Sequence, residues 1–390
     1  MPHTFAQRVL PLQPEGAYAV LARAKALEAQ GREIIHLEIG QPDFPTPAHV
    51  AQAGVDAILA GRTRYTPPAG AADLRAAIAE VAGRQRDLAF SPEEVVIGPG
   101  AKPAIFFPLL ALIEPGDEVI LPDPGFPSYA AAVRVAGGVP VPVRLREMRG
   151  FDVAELAQHV GPRTRLIILN SPSNPTGGVI PLADLEQIAA LERRADLWVI
   201  SDEIYSQLVY EGEAPSIAAL PGMRERTIIV DGFSKTYAMT GWRLGFGLMP
   251  RALAERVELL LTHSVGCTAD FTQAAGIAAL RGDQSAVAAM RASFQARRDR
   301  TVAGLNTLPG VRCPVPEGAF YVFPDVRSFG RPSKWLADYL LDRAGVALLP
   351  GSDFGPGGEG YLRISYATAW ERIEVAIERM RAALGSLSTV

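Results

Sequence analysis

Short apolar runs alternate with amphipathic helical stretches from about residue 95 onward. The runs lie at 94–97, 118–121, 166–169, 197–200 and 227–230. Stretches with helical periodicity stand between them, for example at 104–113 and 182–194. Continuous apolar strands separated by amphipathic helices indicate a mostly parallel sheet with helices on both faces. We therefore predict an α/β domain.

The pattern changes after Phe271. Helical stretches dominate there, and the arginine-rich segment 291–300 is interpreted as the solvated face of a long helix. A strand-like segment at 319–323, a helix near 335–343 and a strand near 361–365 follow. This order predicts a second domain of the α+β class.

The length of 390 residues suits two domains, because single cores stop growing at about 250 to 300 residues. We predict a large domain formed by residues 45–285 and a small domain formed by residues 1–44 and 286–390. The expected fold class is thus α/β, with a mostly parallel sheet sandwiched by helices and a smaller α+β domain beside it.

The composition is that of a soluble globular protein. Charged residues make up 21% of the chain and the net charge is -4, so nothing indicates a nucleic-acid partner or an anionic membrane. The first residues lack a basic segment followed by an apolar one, and no apolar run approaches the ~20 residues of a membrane span. We expect a cytoplasmic protein. Cys267 and Cys313 are isolated, which indicates packing residues and neither a disulfide framework nor a metal site.

Polar side chains follow three successive strands of the predicted sheet. Asn174 comes after the run 166–169, Asp202 and Tyr205 come after the next run, and Lys235 comes after the third. Ligands of open parallel sheets bind beyond the carboxyl ends of the strands. Three strands thus present an amide, a carboxylate with a phenol, and an amine at the same edge. The prolines around Asn174 predict a tight turn that aims its amide, with a cis bond as one way to form it.

Lys235 is one of only four lysines, against 34 arginines among the 38 basic residues. Arginine stays charged in proteins, whereas a desolvated lysine can lose its proton and attack a carbonyl to form a Schiff base. A lysine in a loop is ordinarily solvated. The apolar run that leads directly into Gly232-Phe233-Ser234-Lys235 favours a side chain that leaves the end of a buried strand.

An imine-forming amine, a carboxylate for a ring nitrogen and donors for a ring oxygen are the groups that hold pyridoxal phosphate. The phosphate would need its own site. The segment Gly98-Pro99-Gly100-Ala101-Lys102 follows a strand and begins a helix at Pro103, so the amides of Ala101 and Lys102 can face an anion. Ser234 and Arg243 add a hydroxyl and a permanent charge. Simpler interpretations remain open at this point: a helix N-cap for Asp202, an ordinary glycine turn, and a surface position for Arg243.

These residues match a known family. The segments 171–177, 201–205 and 234–243 resemble the corresponding motifs of the class I and II aminotransferases, which are fold type I pyridoxal phosphate enzymes. The resemblance extends from Gly40-Gln41-Pro42-Asp43-Phe44 to Arg363-Ile364-Ser365-Tyr366-Ala367, with the motifs in the family's order. Within the family, the chain resembles the bacterial aspartate aminotransferase branch.

The resemblance implies a role for each residue. Lys235 would carry the Schiff base and move a proton, and Asp202 would pair with the pyridine nitrogen. Asn174 and Tyr205 would bond the ring hydroxyl, and Phe126 would stack on the ring, unless it is an ordinary core residue. The phosphate would be bound by Gly100, Ala101, Lys102, Ser234 and Arg243, and by Tyr65 of a neighbouring subunit in a homodimer with shared active sites. Ala101 departs from the family, because many relatives place a hydroxyl there.

The substrate would bind at Arg363, with Gly40 and Asn174 nearby. By resemblance, Arg363 grips the α-carboxylate of an amino acid or 2-oxo acid. Lys102 resembles a lysine that meets the distal carboxylate of dicarboxylic substrates, although a lysine at a helix start is also commonly solvated. The implied activity is transfer of an amino group from an L-amino acid to a 2-oxo acid by a ping-pong mechanism, with aspartate and 2-oxoglutarate as the substrates that Lys102 favours.

Three other functions make different demands on the sequence. A C–S lyase that eliminates at the β-carbon would use the same lysine and cofactor. A pyridoxal-phosphate-binding transcription regulator would need a basic helix-turn-helix module, and only about 40 residues of little basic character precede Gly40. A nicotinamide dehydrogenase would need a GxGxxG motif after an early strand, which the sequence lacks.

Overall fold

The computed structural model describes residues 5–387 of the chain. Within them, thirteen α-helices, α1 to α13, have these bounds in chain order: Gly16–Glu28, Ala48–Leu59, Ala72–Arg86, Pro103–Leu112, Ser128–Val135, Val153–His159, Leu182–Ala195, Phe233–Thr236, Arg251–Thr262, Asp270–Arg281, Ser285–Leu305, Ser333–Ala344 and Trp370–Leu384. Thirteen strands, β1 to β13, have these bounds: Ile35–His36, Val95–Gly98, Glu118–Asp123, Val139–Arg146, Gly150–Phe151, Thr164–Asn170, Trp198–Asp202, Thr227–Gly232, Gly245–Leu248, Tyr321–Val322, Val346–Ala347, Leu349–Pro350 and Leu362–Ser365.

Eight strands form one sheet, in the order β2-β9-β8-β7-β6-β3-β4-β5. Strands β8, β7, β6, β3 and β4 run parallel to one another, whereas β9 runs antiparallel to β2 and β8, and β5 runs antiparallel to β4. The chain is therefore α/β with a mostly parallel central sheet, as predicted.

Alternate residues of the central strands pack on opposite faces of this sheet. Ile168, Ile200 and Ile228 contact residues of α4, α5 and α9 on one face. Ile167 and Val199 contact residues of α6 and α7 on the other face. Because both faces are buried, the strands need apolar residues at every position, which explains why the sequence shows continuous apolar runs.

The remaining sheets are small. Strands β10, β13 and β12 form an antiparallel sheet, and β1 pairs in parallel with β11. The N-terminal segment is thereby joined to the C-terminal part of the chain. Only Tyr321–Val322 of the predicted strand-like segment 319–323 is a strand, whereas β13 and α12 fall where a strand and a helix are predicted.

The division into a large domain of residues 45–285 and a small one of 1–44 and 286–390 stays a prediction. All strands of the eight-stranded sheet lie between residues 95 and 248, and those of the small sheets lie at 35–36 and between 321 and 365. In residues 5–387, no helix is both long and apolar enough to cross a membrane.

Candidate active site

A cavity of about 670 Å³ lies at the carboxyl ends of the parallel strands. It brings together eleven of the thirteen residues that the sequence singled out: Gly40, Ala101, Lys102, Phe126, Asn174, Asp202, Tyr205, Ser234, Lys235, Arg243 and Arg363. Gly100 is adjacent, because a Cβ added to it would overlap the guanidinium of Arg243. Tyr65 does not line the cavity, and it is 98% exposed in the single chain.

The strand register aligns the polar groups. Asn170 at the end of β6 pairs with Asp202 at the end of β7, and Asp202 pairs with Val230 on β8. The three strand ends are therefore nearly level, and the loops that follow them leave the sheet at one edge. The turn around Asn174 contains cis peptide bonds before Pro172 and Pro175, so the cis geometry that the sequence allowed is present.

Lys235 lies in the short helix α8, directly after β8. Its Nζ donates a hydrogen bond of 2.6 Å to the carbonyl oxygen of Gly40 and stands 5.6 Å from the ring centroid of Phe320. Burial lowers the pKa of Lys235 to about 8, and the positive charges of Arg363 and Arg243 act in the same direction. Near neutral pH this amine can therefore exchange its proton, which an ordinary lysine does only at much higher pH.

Asp202 is buried beneath the cavity. Its Oδ2 accepts a hydrogen bond of 2.7 Å from the hydroxyl of Tyr129, and its Oδ1 accepts one of 3.2 Å from the amide of Ile204. The chain forms a turn after β7, so the alternative of a helix N-cap is wrong. Burial raises the pKa of Asp202 to about 6, and the hydrogen bond from Tyr129 opposes this shift. The carboxyl group is thus sensitive to a cation placed in the cavity.

Two tyrosines of the site were missed in the sequence. Tyr129 holds Asp202, and the hydroxyl of Tyr321 lies 2.9 Å from that of Tyr205. Both line the cavity and both are buried. Tyr129 stands at the start of α5, and Tyr321 lies within the strand-like segment 319–323. Nothing in their local sequence pattern distinguishes them from ordinary core aromatics.

Arg363 on β13 projects into the cavity from the C-terminal part of the chain. It donates one hydrogen bond to Oδ1 of Asn174 at 3.3 Å and a second to the carbonyl oxygen of Glu38. Its Nε is buried and has no partner in the described residues. The rings of Tyr321 and Phe354 lie 4.6 and 5.1 Å from the guanidinium. A buried guanidinium with an unused donor is suited to bind an anion such as a carboxylate.

The segment Gly98–Lys102 forms an amide-lined turn before α4, which begins at Pro103. Gly100 has a φ of 90°, a left-handed conformation that favours glycine. Arg243 donates to the carbonyl oxygen of Thr240 at 2.8 Å and to that of Pro99 at 3.3 Å. A guanidinium and the free amides of a helix start thus lie side by side, which is an anion-binding arrangement.

The outer part of the cavity contains an ion pair that the sequence did not indicate. Lys102 Nζ donates to Oε1 of Glu15, and the hydroxyl of Ser128 donates to the same oxygen at 2.8 Å. Glu15 directly precedes α1. Because 87 positions separate Glu15 from Lys102, no local pattern could have predicted the pair.

Comparisons with known proteins agree with one another. A family model described as "Aminotransferase class I and II" matches residues 32–380. The chain is 44% identical over 359 residues to an aspartate aminotransferase of Pyrococcus abyssi (90% of this chain, 92% of the relative) and 43% identical over 363 residues to aromatic-amino-acid aminotransferase 2 of Thermococcus litoralis (91% and 93%). The crystal structure of the aspartate aminotransferase from Rhizobium meliloti superposes with a TM-score of 0.94 at 38% identity, covering 99% of this chain and all of that one.

Proposed function

Because the chain belongs to the class I and II aminotransferases and is a transaminase, we propose that its cavity holds pyridoxal 5'-phosphate at Lys235 and exchanges the amino group of an L-amino acid with a 2-oxo acid. The two half-reactions would use the same site in turn. One observation carries this proposal: the amine of Lys235, the carboxyl of Asp202 and the anion-binding turn beside Arg243 line one cavity.

The chemistry of these groups fits the cofactor. When bound, pyridoxal phosphate supplies an aldehyde carbon for an amine and a ring that accepts electrons from a breaking Cα–H bond. Asp202 would hold the ring nitrogen, and Asn174 and Tyr205 would hold the ring hydroxyl. The phosphate would be held by Arg243, Ser234 and the turn that contains Gly100, Ala101 and Lys102. Phe126, which lines the same cavity, would cover one face of the ring.

The charges of the site support this assignment. The pKa of Asp202, raised by burial to about 6, would fall beside a protonated ring nitrogen, since an opposite charge favours the ionised carboxylate. Ala101 provides no hydroxyl, so we propose that the guanidinium of Arg243 and the backbone amides carry more of the phosphate binding than a side-chain hydroxyl does.

Lys235 would also act as the acid and base of the reaction. An amine with a pKa of about 8 can take a proton from the substrate Cα and return one to the product near neutral pH. Arg363 would hold the α-carboxylate, with the backbone of Gly40 nearby. Holding the carboxylate in this way orients the Cα–H bond toward the amine, which is a positioning effect on the rate.

We also propose a homodimer with shared active sites. Val55 and Ile58, each nearly half exposed, line a second cavity of about 700 Å³ together with Gly241 and Arg243. The last two also line the candidate active site. An exposed apolar surface of this kind commonly marks a protein interface. A second copy seated on it would complete the phosphate site, to which Tyr65 of the partner subunit would contribute.

The decisive experiment is spectroscopic. Purified protein with pyridoxal phosphate should show a visible absorption band that depends on Lys235 and that shifts when single L-amino acids are added. Lys235→Ala should lose the band, whereas Lys334→Ala, which changes an exposed lysine paired with Asp338, should keep it. A band that survives in Lys235→Ala would overturn the proposal. Release of 2-oxo acid without any acceptor would instead indicate a lyase.

A further inference from the structure

Six charged side chains line the candidate active site among the described residues: Glu15, Lys102, Asp202, Lys235, Arg243 and Arg363. The proposed function uses four of them. Asp202, Lys235 and Arg243 would hold the cofactor, and Arg363 would hold the α-carboxylate. Of the charged side chains that the described part of this chain places in the cavity, Glu15 and Lys102 are the two left for a substrate side chain, and they are paired with each other.

The Glu15–Lys102 pair is held on both sides. The backbone carbonyl of Glu15 accepts a hydrogen bond from the amide of Tyr18 at 3.0 Å, which fixes Glu15 at the start of α1. Its side-chain Oε1 accepts from both Lys102 and the hydroxyl of Ser128. The ammonium of Lys102 also stands 5.3 Å from the ring centroid of Phe126, within the range of a cation–π contact.

This pairing decides what a substrate side chain meets. A distal carboxylate that enters the cavity finds Lys102 already neutralised and a like charge, Glu15, at the same place. A cationic side chain finds Glu15 neutralised and Lys102 opposing it. The side chains of Lys102 and Glu15 are 54% and 26% exposed, so the pair lies at the solvent side of the cavity. Like charges brought together there still oppose binding, and breaking the existing pair removes a charge-assisted hydrogen bond.

Several residues without a charged side chain also line this cavity. Ala17, Tyr18, Leu21 and Ile39 line the same cavity. Apolar walls favour apolar side chains, because burial removes their surface from water. These residues therefore offer apolar contact area to an uncharged substrate side chain.

We propose that Glu15 is a specificity-determining residue that neutralises Lys102 and restricts the enzyme to amino acids and 2-oxo acids with uncharged side chains. The proposal rests on the proposed transaminase function and refines its substrate class. It differs from the dicarboxylic preference that Lys102 alone indicates, because Lys102 is not free to meet a carboxylate while Glu15 is in place.

The wild-type holoenzyme tests the proposal first. Its kcat/KM in the amino-acid half-reaction should be higher for alanine, methionine or phenylalanine than for aspartate or glutamate. Glu15→Gln should release Lys102 to bind the distal carboxylate of aspartate. The ratio of kcat/KM for aspartate to kcat/KM for alanine should then rise about tenfold or more, because one charge-assisted hydrogen bond contributes about that much. Glu15→Gln combined with Lys102→Gln should lose that gain.

A binding measurement gives a second readout that is independent of turnover. Maleate has two carboxylates and no amino group, and isovalerate is a monocarboxylate of similar size. By calorimetry on the holoenzyme, Glu15→Gln should lower the Kd of maleate about tenfold and leave that of isovalerate within about twofold. Glu33→Gln, which changes a glutamate of a surface ion pair with Arg379, should alter neither Kd.

Two results would overturn the inference: a wild-type preference for aspartate over alanine, or a maleate Kd and an aspartate-to-alanine ratio that Glu15→Gln leaves unchanged. Both presuppose a working half-reaction with some amino acid. If the wild-type holoenzyme reacts with none, the proposed function itself fails, so the two failures are distinguishable.

Discussion

At the scale of single residues, the acidity of the Lys235 ammonium depends on the groups that surround it. Burial and the charges of Arg363 and Arg243 lower its pKa to about 8. In cofactor-free protein, acylation of Lys235 should therefore rise with pH and level off above about pH 8. Competitive labelling with mass spectrometry measures this, with the exposed Lys25 as the reference for reagent reactivity. A rate that still increases steeply at pH 10 would contradict the prediction.

Arg363 is the second residue for which a single substitution is informative. Lysine keeps the charge but cannot form two parallel hydrogen bonds to a carboxylate. Arg363→Lys should raise KM for amino acids and 2-oxo acids alike, with a loss of about 1.5 to 3 kcal/mol in substrate binding. Steady-state kinetics in both directions measure it, and Arg327→Lys, at an exposed arginine paired with Asp325, is the matched control. Unchanged KM values would remove Arg363 from the substrate site.

The residue types in the sequence predicted which chemical groups lie at the sheet edge better than they predicted which side chains those groups contact. Lys235, Asp202 and Asn174 stand within five positions of the ends of apolar runs, so their place at the sheet edge follows from the sequence. Tyr129 donates to Asp202 across 73 positions and has no such signal. An aromatic in an amphipathic helix is usually a core residue, and only packing shows which polar group its hydroxyl reaches.

At the scale of elements, helix α3 is tied to the ends of β7 and β8 by buried charges. Arg86, whose side chain is 4% exposed, donates at 2.7 Å to Glu203 and at 2.7 Å to Asp231. Glu203 also accepts from Ser201 and Ser216. Glu203 is the neighbour of Asp202, and Asp231 precedes Lys235 by four positions. The cluster thus supports the two loops that carry the candidate catalytic groups.

Removing Arg86 should destabilise the protein strongly, because two carboxylates would remain buried without their partner. Arg86→Met is expected to cost about 3 to 5 kcal/mol in the free energy of unfolding. Denaturant titration measures this. Arg84→Met, on the same helix with a 70% exposed side chain, should cost little. Equal effects of the two substitutions would show that the buried cluster adds no stability.

Helix α7 contains a carboxyl group that destabilises the fold as pH rises. Glu192 is fully buried, and neither side-chain oxygen has a hydrogen-bond partner in the described residues. Burial raises the pKa of Glu192 well above its ordinary value. In the unfolded chain the group ionises near pH ~4.3. The folded state holds its proton to higher pH, so stability is lost from about that pH upward until the folded-state pKa is passed.

Glu192→Met should therefore stabilise the protein, and more at pH 8 than at pH 5. The gain at pH 8 is expected to be about 1 to 3 kcal/mol, the cost of an unsatisfied buried polar group. Denaturant titrations at the two pH values measure it. Glu186→Met, at an exposed position of the same helix, should show no such pH dependence. A destabilised Glu192→Met variant at pH 8 would refute the argument.

At the scale of the whole molecule, the exposed apolar residues beside Arg243 predict association. Light scattering should give twice the chain mass of 41.7 kDa. Ile58→Arg should shift the protein toward the monomer and weaken retention of pyridoxal phosphate, because a charge would be buried without a partner in the interface. Val315→Arg, at another exposed apolar residue, should do neither. A monomeric wild type, or a dimeric Ile58→Arg variant, would count against the shared site.

The sequence alone determined the kind of sheet and the main groups at its edge. The period and the length of an apolar run indicate whether a strand is buried on one face or on both. The mostly parallel sheet could therefore be predicted, and so could the position of Lys235 after β8. The domain bounds and the cytoplasmic location also come from the sequence, and they stay predictions.

Only the tertiary structure decided which charges meet. Glu15 joins Lys102 across 87 positions, and Arg86 joins Glu203 across 117. Hydrophobic periodicity is a property of one element, whereas an ion pair depends on how two elements pack, and the packing sets both the distance and the desolvation of each charge. Lys102 is a candidate carboxylate-binding group in the sequence and a neutralised one in the fold, which is why the substrate class could be argued only from the structure.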